Sequence, residues 1–301
     1  MRQVQTFLPY PDFVESAQVL DQARLGKQRV EALQVLRAVT LPGYGWQSHP
    51  AIAMWRGHRT ALTAYALAIT DEWIAQGHAD TVRPQVLEFA PALGDVGLGD
   101  HRGRDRDHDA GHASAAGLVA ADLPVWLGDD AVHRSHRSKL LQKEPEWYRG
   151  RFPGVPDDLD YVWPGADPGM LAPTDDAALS APRRAWVVRP RDARTGDDWR
   201  RAGVATVAES SPRGRTTPVW AAQREAFAQL AEGELVAVPD AEQARFSLGR
   251  LVGDAVSAQD DDRAPVLLRR VEWEDQEVRR QDLPDPALAQ DTRSVFPLAL
   301  A

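Results

Sequence analysis

Two long segments near the start of the chain carry apolar residues at helical spacing. Residues 15–38 contain no proline, and their apolar side chains recur every three or four positions, which predicts one amphipathic helix. Residues 51–76 repeat the same period before Gly77, which offers a C-terminal stop, and we predict a second, longer helix there. A rotation of about 100° per residue places Lys27, Glu31 and Gln34 on a polar stripe beside the apolar face of the first helix.

The pattern changes twice further along the chain. Residues 91–118 are rich in Gly, Asp, His and Arg without apolar periodicity, which indicates a flexible insertion. Its histidines and aspartates are metal-ligand types, but such a loop provides no scaffold for fixed geometry, so we assign no metal and no cofactor. Folded character returns in residues 119–163, with a helix at their centre and an extended, proline-bounded end. Residues 164–183 have the composition of a linker.

Beyond the linker, short runs of branched residues are bounded by Gly, Pro and Asp. Such runs predict β-strands, here RAWVVRP, GELVAVP, FSLGRLVGDAV and PVLLRRVEWE. One helix, VWAAQREAFAQLAEG, interrupts them. We therefore predict a small mixed barrel over residues 184–301.

Composition narrows the class of protein. The 301 residues contain no cysteine, which excludes disulfide scaffolds and thiol nucleophiles. No apolar run approaches the roughly 20 residues of a membrane span, and no signal peptide is evident, so we expect a cytoplasmic protein that does not contact a membrane. The net charge is −9, yet residues 21–59 and 131–151 each hold six basic against two acidic residues. These two basic islands could bind phosphate or could be solvated helix faces.

Three segments, in order, resemble one family of enzymes. They are LGKQRVEAL at residues 25–33, the long segment from residue 49 to 78, and SHRSKLLQKEPEWYRGRF at residues 135–152. Together they resemble the pyrimidine-dimer DNA glycosylases, over about residues 1–163 apart from the insertion. The resemblance implies a mainly α-helical domain that acts on double-stranded DNA carrying a damaged or modified base, which it extrudes from the duplex.

The resemblance also implies catalytic roles. Glu31 aligns with the glutamate that stabilises the developing positive charge on the sugar, although a surface ion pair with Lys27 would also explain it. The family's nucleophile is the N-terminal α-amine, which here implies Met1. The best-known member of the family, a bacteriophage repair enzyme, exposes a small N-terminal residue, and the large Arg2 departs from that pattern. The family's arginine immediately before the glutamate is Val30 here, so DNA contacts cannot be copied over residue by residue.

The candidate DNA-binding residues come from both basic islands and from the Pro-x-Trp-Tyr element. His133 and His136 lie on one helix face and could contact phosphate, while Trp147 and Tyr148 could stack near the lesion or fill the core. The full set is Arg2, Arg24, Lys27, Arg29, His133, Arg134, His136, Arg137, Lys139, Trp147 and Tyr148.

Residues 184–301 resemble PUA-like domains, which flip a modified base into an aromatic cage. Trp186, Trp220 and Trp273 are the candidates for that cage, or else core residues. The expected fold class is therefore multi-domain, with a helical glycosylase-like domain followed by an α+β PUA-like barrel. The expected function is a DNA glycosylase, with or without AP-lyase activity, in repair or in defence against modified phage DNA. A non-catalytic modified-DNA-binding protein and a histidine-based metal nuclease are the alternatives.

Overall fold

A computed structural model describes residues 5–94, 117–166, 169–211, 214–260 and 263–301. Met1, Arg2 and residues 95–116 of the predicted insertion lie outside this part of the chain. The chain divides into two compact units, unit 1 (Met1–Pro173) and unit 2 (Thr174–Ala301). The division falls within residues 164–183, where the composition predicts a linker.

Unit 1 is helical. Its numbered helices are α1 (Phe13–Gln18), α2 (Gln22–Thr40), α3 (Pro50–Ala53), α4 (Arg59–Ala75), α5 (Arg83–Leu87), α6 (Asp130–Lys143) and α7 (Pro145–Tyr148). The prediction of one helix over residues 15–38 is wrong, because the chain breaks between α1 and α2. Asp21 makes this break, since its carboxylate accepts the backbone N–H groups of Ala23 and Arg24 and caps α2.

The long helix predicted for residues 51–76 is also two helices. Gly57 has a φ of +83° between α3 and α4, a left-handed conformation that ends a helix and favours glycine. The predicted stop at Gly77 is confirmed, because α4 ends at Ala75 and Gly77 has a φ of +86°. Ten consecutive residues of α4, from Ala61 to Thr70, are buried, so this helix is the centre of unit 1 and not an amphipathic surface helix.

Helix α2 packs closely against α4. A Cβ atom added at Gly26 would lie 2.8 Å from the ring of Trp73, so a larger residue where the two helices approach would force this ring to shift. The predicted helix at the centre of residues 119–163 is confirmed as α6. The chain after α7 runs back along α6, where Ser138 and Ser135 accept the backbone N–H groups of Leu159 and Val162.

Unit 2 contains one six-stranded sheet. Its strands are β1 (Arg184–Val188), β2 (Val204–Ala208), β3 (Leu235–Pro239), β4 (Arg245–Gln259), β5 (Pro265–Arg279) and β6 (Val295–Ala299), in the spatial order β2-β5-β4-β3-β1-β6. Strands β1 and β3 are parallel and every other pairing is antiparallel. In the described part of unit 2, three α-helices accompany the sheet: α8 (Asp176–Leu179), α9 (Ala193–Ala202) and α10 (Pro218–Gln229).

The four predicted strands and the predicted helix exist as β1, β3, β4, β5 and α10, but three features of unit 2 differ from the prediction. Among the described residues β2 and β6 are edge strands, so the sheet is open and the predicted closed barrel is wrong. Strands β2 and β6 and helix α9 were not predicted. Part of the predicted linker is folded, because α8 lies within it and Asp175 binds Arg293 through two hydrogen bonds of 2.7 Å.

Both faces of the sheet are covered by apolar side chains. One core contains Val188, Trp199 and Phe227 and lies against α9 and α10, and the other contains Phe246, Leu283, Ala289 and Phe296. In the parts of the chain that the structure describes, no helix is both long enough and apolar enough to span a membrane.

Candidate active site around Glu31

The backbone of residues 5–8 is held inside unit 1 by buried side chains. Gln28 of α2 donates to the carbonyl of Gln5 at 2.9 Å and accepts the N–H of Phe7 at 3.0 Å. Tyr65 of α4 donates to the carbonyl of Phe7 at 2.8 Å. Because Gln28 precedes Glu31 by one helical turn, the segment is fixed beside the polar face of α2.

His133 and His136 hold the next residue of this segment. Nδ1 of His133 donates to the carbonyl of Leu8 at 2.8 Å, and Nδ1 of His136 accepts its N–H at 3.3 Å. Both imidazoles are buried, so the prediction that they contact DNA disagrees with the structure. Nε2 of His133 accepts the N–H of Gly128, which leaves neither nitrogen for a metal. Burial lowers the pKa of His136 to about 3, so its ring is neutral.

Glu31 is a buried carboxylate with one oxygen unpaired. Its side chain is 9% exposed, and Oε1 accepts from Nζ of Lys27 at 3.2 Å. Oε2 has no hydrogen-bond partner among the described residues. Burial raises the pKa of Glu31, and the charges of Lys27 and Lys143 oppose that rise. A carboxylate in this state can accept a proton or stabilise a nearby positive charge.

Two of the three lysines of the chain interact with this carboxylate. Lys27 is its direct partner, and Lys143, at the end of α6, interacts electrostatically with Glu31 and Lys27. Lys139, one turn earlier on α6, binds Asp160 at 3.2 Å and lies 5.8 Å from the ring centre of Tyr161. Burial raises the pKa of Tyr161, and the charge of Glu31 raises it further. The two basic islands of the sequence therefore meet around Glu31.

The arginines of α2 lie on different sides of the helix. Arg24 is on the Glu31 side, where it binds Asp21 and Glu144 at 3.3 Å and the carbonyl of Lys143 at 2.7 Å. Arg29 is two residues from Glu31 and points elsewhere: it pairs with Asp80 and lies over the ring of Trp73. The predicted DNA contact of Arg29 disagrees with this internal pairing.

The other predicted DNA-binding residues on α6 divide into free and paired side chains. Arg134 is exposed and forms no ion pair with another described residue. Arg137 binds Asp130 at 2.8 Å and the carbonyl of Pro9 at 3.1 Å, with 18% of its side chain exposed. Arg134 is therefore the more available of the two for a phosphate.

Trp147 and Tyr148 have different environments. Tyr148 is buried, and its hydroxyl donates to Asp21 at 2.6 Å, so it supports the cap of α2 and is not available for stacking as predicted. Trp147 is exposed and lines a surface depression together with Arg24. The guanidinium of Arg151 covers its ring at 3.9 Å, a position that a flat base could take instead.

A row of aromatic rings leads away from Glu31 and was missed in the sequence. Tyr161 and Trp163 have ring centres 4.8 Å apart, Trp163 lies 6.2 Å from His49, and His49 lies 6.5 Å from Trp46. Trp46 is half exposed and has a φ of +73°, which is rare for a bulky residue. Only the unusual density of aromatics near positions 46 and 163 could have signalled this row.

The three tryptophans predicted to read a base lie in the core of unit 2. Trp220 is 5% exposed, and its indole N–H donates to the carbonyl of Glu209. Trp273 is partly buried and donates to the carbonyl of Trp199. Trp186 packs against the same core, and its indole nitrogen is buried without a partner among the described residues. The burial of Trp220 disagrees most clearly with the prediction that these tryptophans form a cage for a base.

Comparison with known families gives a match in the first part of unit 1. The family model described as pyrimidine dimer DNA glycosylase matches residues 4–83. This region contains the segment 5–8, α2 with Lys27 and Glu31, and the central helix α4; it does not include Lys143, Tyr161 or unit 2. No curated protein matches the chain significantly. The match supports a glycosylase enzyme with DNA as its substrate.

Proposed function

We propose that this protein is a DNA glycosylase that removes pyrimidine dimers or other damaged or modified bases, with Glu31 as its catalytic carboxylate. The observation that carries the proposal is the unpaired, buried Oε2 of Glu31 within a cluster of lysines. An ordinary surface ion pair would leave both carboxylate oxygens in water. The family match over the same helix supports this role.

The chemistry suits these groups. When the bond between C1′ and the base breaks, the base leaves with the electron pair and positive charge develops on the sugar. The unpaired oxygen of Glu31 stabilises that charge, and its buried setting strengthens the interaction. Arg134 and the lysines around Glu31 attract the flanking phosphates.

The aromatic row provides a place for an extruded base. A base that leaves the duplex loses its stacking partners, and flat side chains restore part of that energy. Trp46 is half exposed at the outer end of the row, while Tyr161 is at the inner end, electrostatically coupled to Glu31. We propose that the extruded nucleotide stacks on this row.

The test measures base release from duplex DNA containing a pyrimidine dimer or a modified base, with undamaged DNA as the reference. Glu31→Gln keeps the shape of the side chain, and we expect it to lower the release rate by about 100-fold or more. Glu15→Gln on α1 is the matched control, because Glu15 is exposed and distant in sequence from the cluster. Full activity of Glu31→Gln would refute the role of Glu31, and binding without release by the wild type would favour the non-catalytic alternative.

We also propose that unit 2 helps to select modified DNA, as its resemblance to PUA-like domains implies. Trp186 is the one candidate tryptophan with a polar atom left unpaired among the described residues. Trp186→Ala should reduce the preference of the full-length protein for modified over plain DNA, by about 1–3 kcal/mol if its ring stacks on a base. An unchanged preference in the folded variant would remove this role.

A further inference from the structure

The turn between α2 and α3, residues 41–49, carries an exposed tryptophan in a strained conformation. Trp46 is 49% exposed, and its φ of +73° lies in the left-handed region. A glycine adopts this region without steric cost, whereas a bulky side chain there is a genuine outlier. Because a glycine would suit the turn better, the indole ring serves a purpose other than forming the turn.

Hydrogen bonds fix both ends of this turn. Gln47 donates to the carbonyl of Leu41 at 3.0 Å, and Arg56 donates to the carbonyl of Gln47. The carbonyl of Trp46 accepts the N–H of His49 at 2.8 Å, and the side chain of His49 caps α3. The indole is therefore presented from a fixed backbone, which reduces the entropy lost when the ring binds a partner.

The chain around this turn contains no acidic residue. Although the protein has 44 aspartates and glutamates, none lies between Glu31 and Asp71, and this interval holds Arg37, Arg56 and Arg59. A segment without carboxylates can approach a phosphate backbone without repulsion. The exposed flat ring and this charge pattern together fit a nucleic acid.

The aromatic row connects this turn to the proposed active site. From the outer to the inner end, successive ring centres are 6.5, 6.2 and 4.8 Å apart in the order Trp46, His49, Trp163 and Tyr161. The hydroxyl of Tyr161 donates to the side chain of Gln5 at 2.5 Å, and Gln28 donates to the carbonyl of Gln5 at 2.9 Å. Because Gln28 precedes Glu31 by one turn of α2, the inner end of the row lies on the Glu31 side and Trp46 lies at the opposite end.

We propose that Trp46 is a wedge that enters the base stack of duplex DNA where a damaged base has been extruded. The inference rests on the proposed glycosylase function and adds a contact with the remaining duplex. Extrusion leaves a gap whose neighbouring bases have each lost a stacking partner. An indole inserted there restores stacking and keeps the extruded base from returning. Trp163 and Tyr161, the inner rings of the row, then receive the extruded base.

The first test separates a wedge from a residue that supports the fold. Trp46→Gly removes the ring and the backbone strain together, so we expect its thermal unfolding temperature to stay close to that of the wild type. Trp46→Phe is the matched control, because it retains a flat ring at the same position. A markedly lower unfolding temperature for Trp46→Gly would show that the ring supports the fold and would overturn the inference.

The second test uses full-length protein and a DNA duplex in which one nucleotide is a tetrahydrofuran residue, a sugar without a base, next to 2-aminopurine. The fluorescence of 2-aminopurine is quenched when another ring stacks on it. This DNA has no base to release at the gap, so the signal reports the gap alone. At saturating protein, we expect the wild type and Trp46→Phe to quench the fluorescence and Trp46→Gly to leave it high.

Base release completes the comparison. On duplex DNA containing a pyrimidine dimer, we expect Trp46→Gly to release the base about tenfold more slowly than the wild type, with Trp46→Phe close to the wild type. Equal quenching by Trp46→Gly and the wild type would overturn the wedge, and slower release in that case would place the ring against the extruded base instead. Base release by the wild type without quenching would overturn the wedge and leave the glycosylase function standing. Quenching by the wild type without release of any base would support the wedge and refute the glycosylase.

Discussion

Two buried carboxylates, one in each unit, have opposite surroundings. The side chain of Asp291 in unit 2 is 3% exposed, and both of its carboxylate oxygens are paired with Arg293. One oxygen accepts from the guanidinium at 2.7 Å, and the other accepts from the backbone N–H at 2.8 Å. Burial tends to lower the pKa of Arg293, but its hydrogen bonds to Asp175 and Asp291 raise the pKa overall. Glu31 in unit 1 has one amine partner and an oxygen without one among the described residues.

Under the proposed function, the difference separates a structural carboxylate, Asp291, from a reactive one, Glu31. A buried charge that only supports the fold is stable when its oxygens are paired, because an unpaired buried charge is costly. Asp291 meets that condition and Glu31 does not. We infer that Glu31 retains its position for chemistry, at some cost to the stability of unit 1.

The largest expected effect is the loss of stability when the paired carboxylate is removed. Asp291→Ala leaves the backbone N–H of Arg293 and part of its guanidinium without a partner, which should lower the free energy of unfolding by about 3 kcal/mol. Chemical denaturation measures this change. Activity per folded molecule should be unaffected, and a variant as stable as the wild type would show that the pair contributes little.

The next largest effect is expected from acid, which should lower the stability of unit 1 more than that of unit 2. All eight histidines precede residue 137, so unit 2 contains none. The pKa of His136 falls from 6.5 to about 3 on folding, so the unfolded chain gains a proton first and stability is lost as the pH falls below 6.5. Between pH 6.5 and 5, His136 alone should cost unit 1 about 2 kcal/mol.

Hydrogen exchange measured by mass spectrometry at both pH values reports the two units separately. Helices α4 and α6 should lose protection at pH 5, while β3 and β4 retain it. Equal losses in both units would contradict the assignment of the acid sensitivity to the buried histidines.

A smaller effect of opposite sign is expected at Glu31. Its raised pKa means that the fold disfavours the ionised form, so Glu31→Gln should be slightly more stable than the wild type at pH 7.5. The gain should stay below about 1 kcal/mol because the ion pair with Lys27 is lost. It should disappear as the pH falls through the pKa of Glu31, where the wild type becomes neutral. Thermal unfolding at pH 7.5 and 4 tests this, and a destabilised variant at pH 7.5 would show that Glu31 supports the fold.

The smallest effect concerns the salt dependence of DNA binding. Arg134 is exposed, so Arg134→Ala should flatten the slope of log K against log salt by about one unit if it contacts a phosphate. Arg134→Lys is the matched control, because it retains the positive charge at the same exposed position and should leave the slope unchanged. Fluorescence anisotropy over a range of salt concentrations gives both slopes. Equal slopes for the two variants would show that Arg134, although exposed on α6, does not contact a phosphate.

The sequence was informative where structure is local. Apolar periodicity identified the helical segments and most of the strands, and left-handed Gly77 confirmed one helix end. Periodicity did not predict the helix breaks that depend on one side chain, such as the break where Asp21 caps the start of α2. It also joined α3 to α4, since a helical pattern can continue across a single glycine such as Gly57.

By itself, then, the sequence determined the helical character of unit 1, four of the six strands described in unit 2 and the position of Glu31 on a polar stripe of α2. Only the tertiary structure decided which polar groups became buried and with which partners. It placed His133 and His136 against Leu8, Trp220 in a core, and the guanidinium of Arg24 against the carbonyl of Lys143. The physical reason is that periodicity reports contacts within one helix or strand, whereas burial, pairing and pKa depend on residues that are distant in the chain.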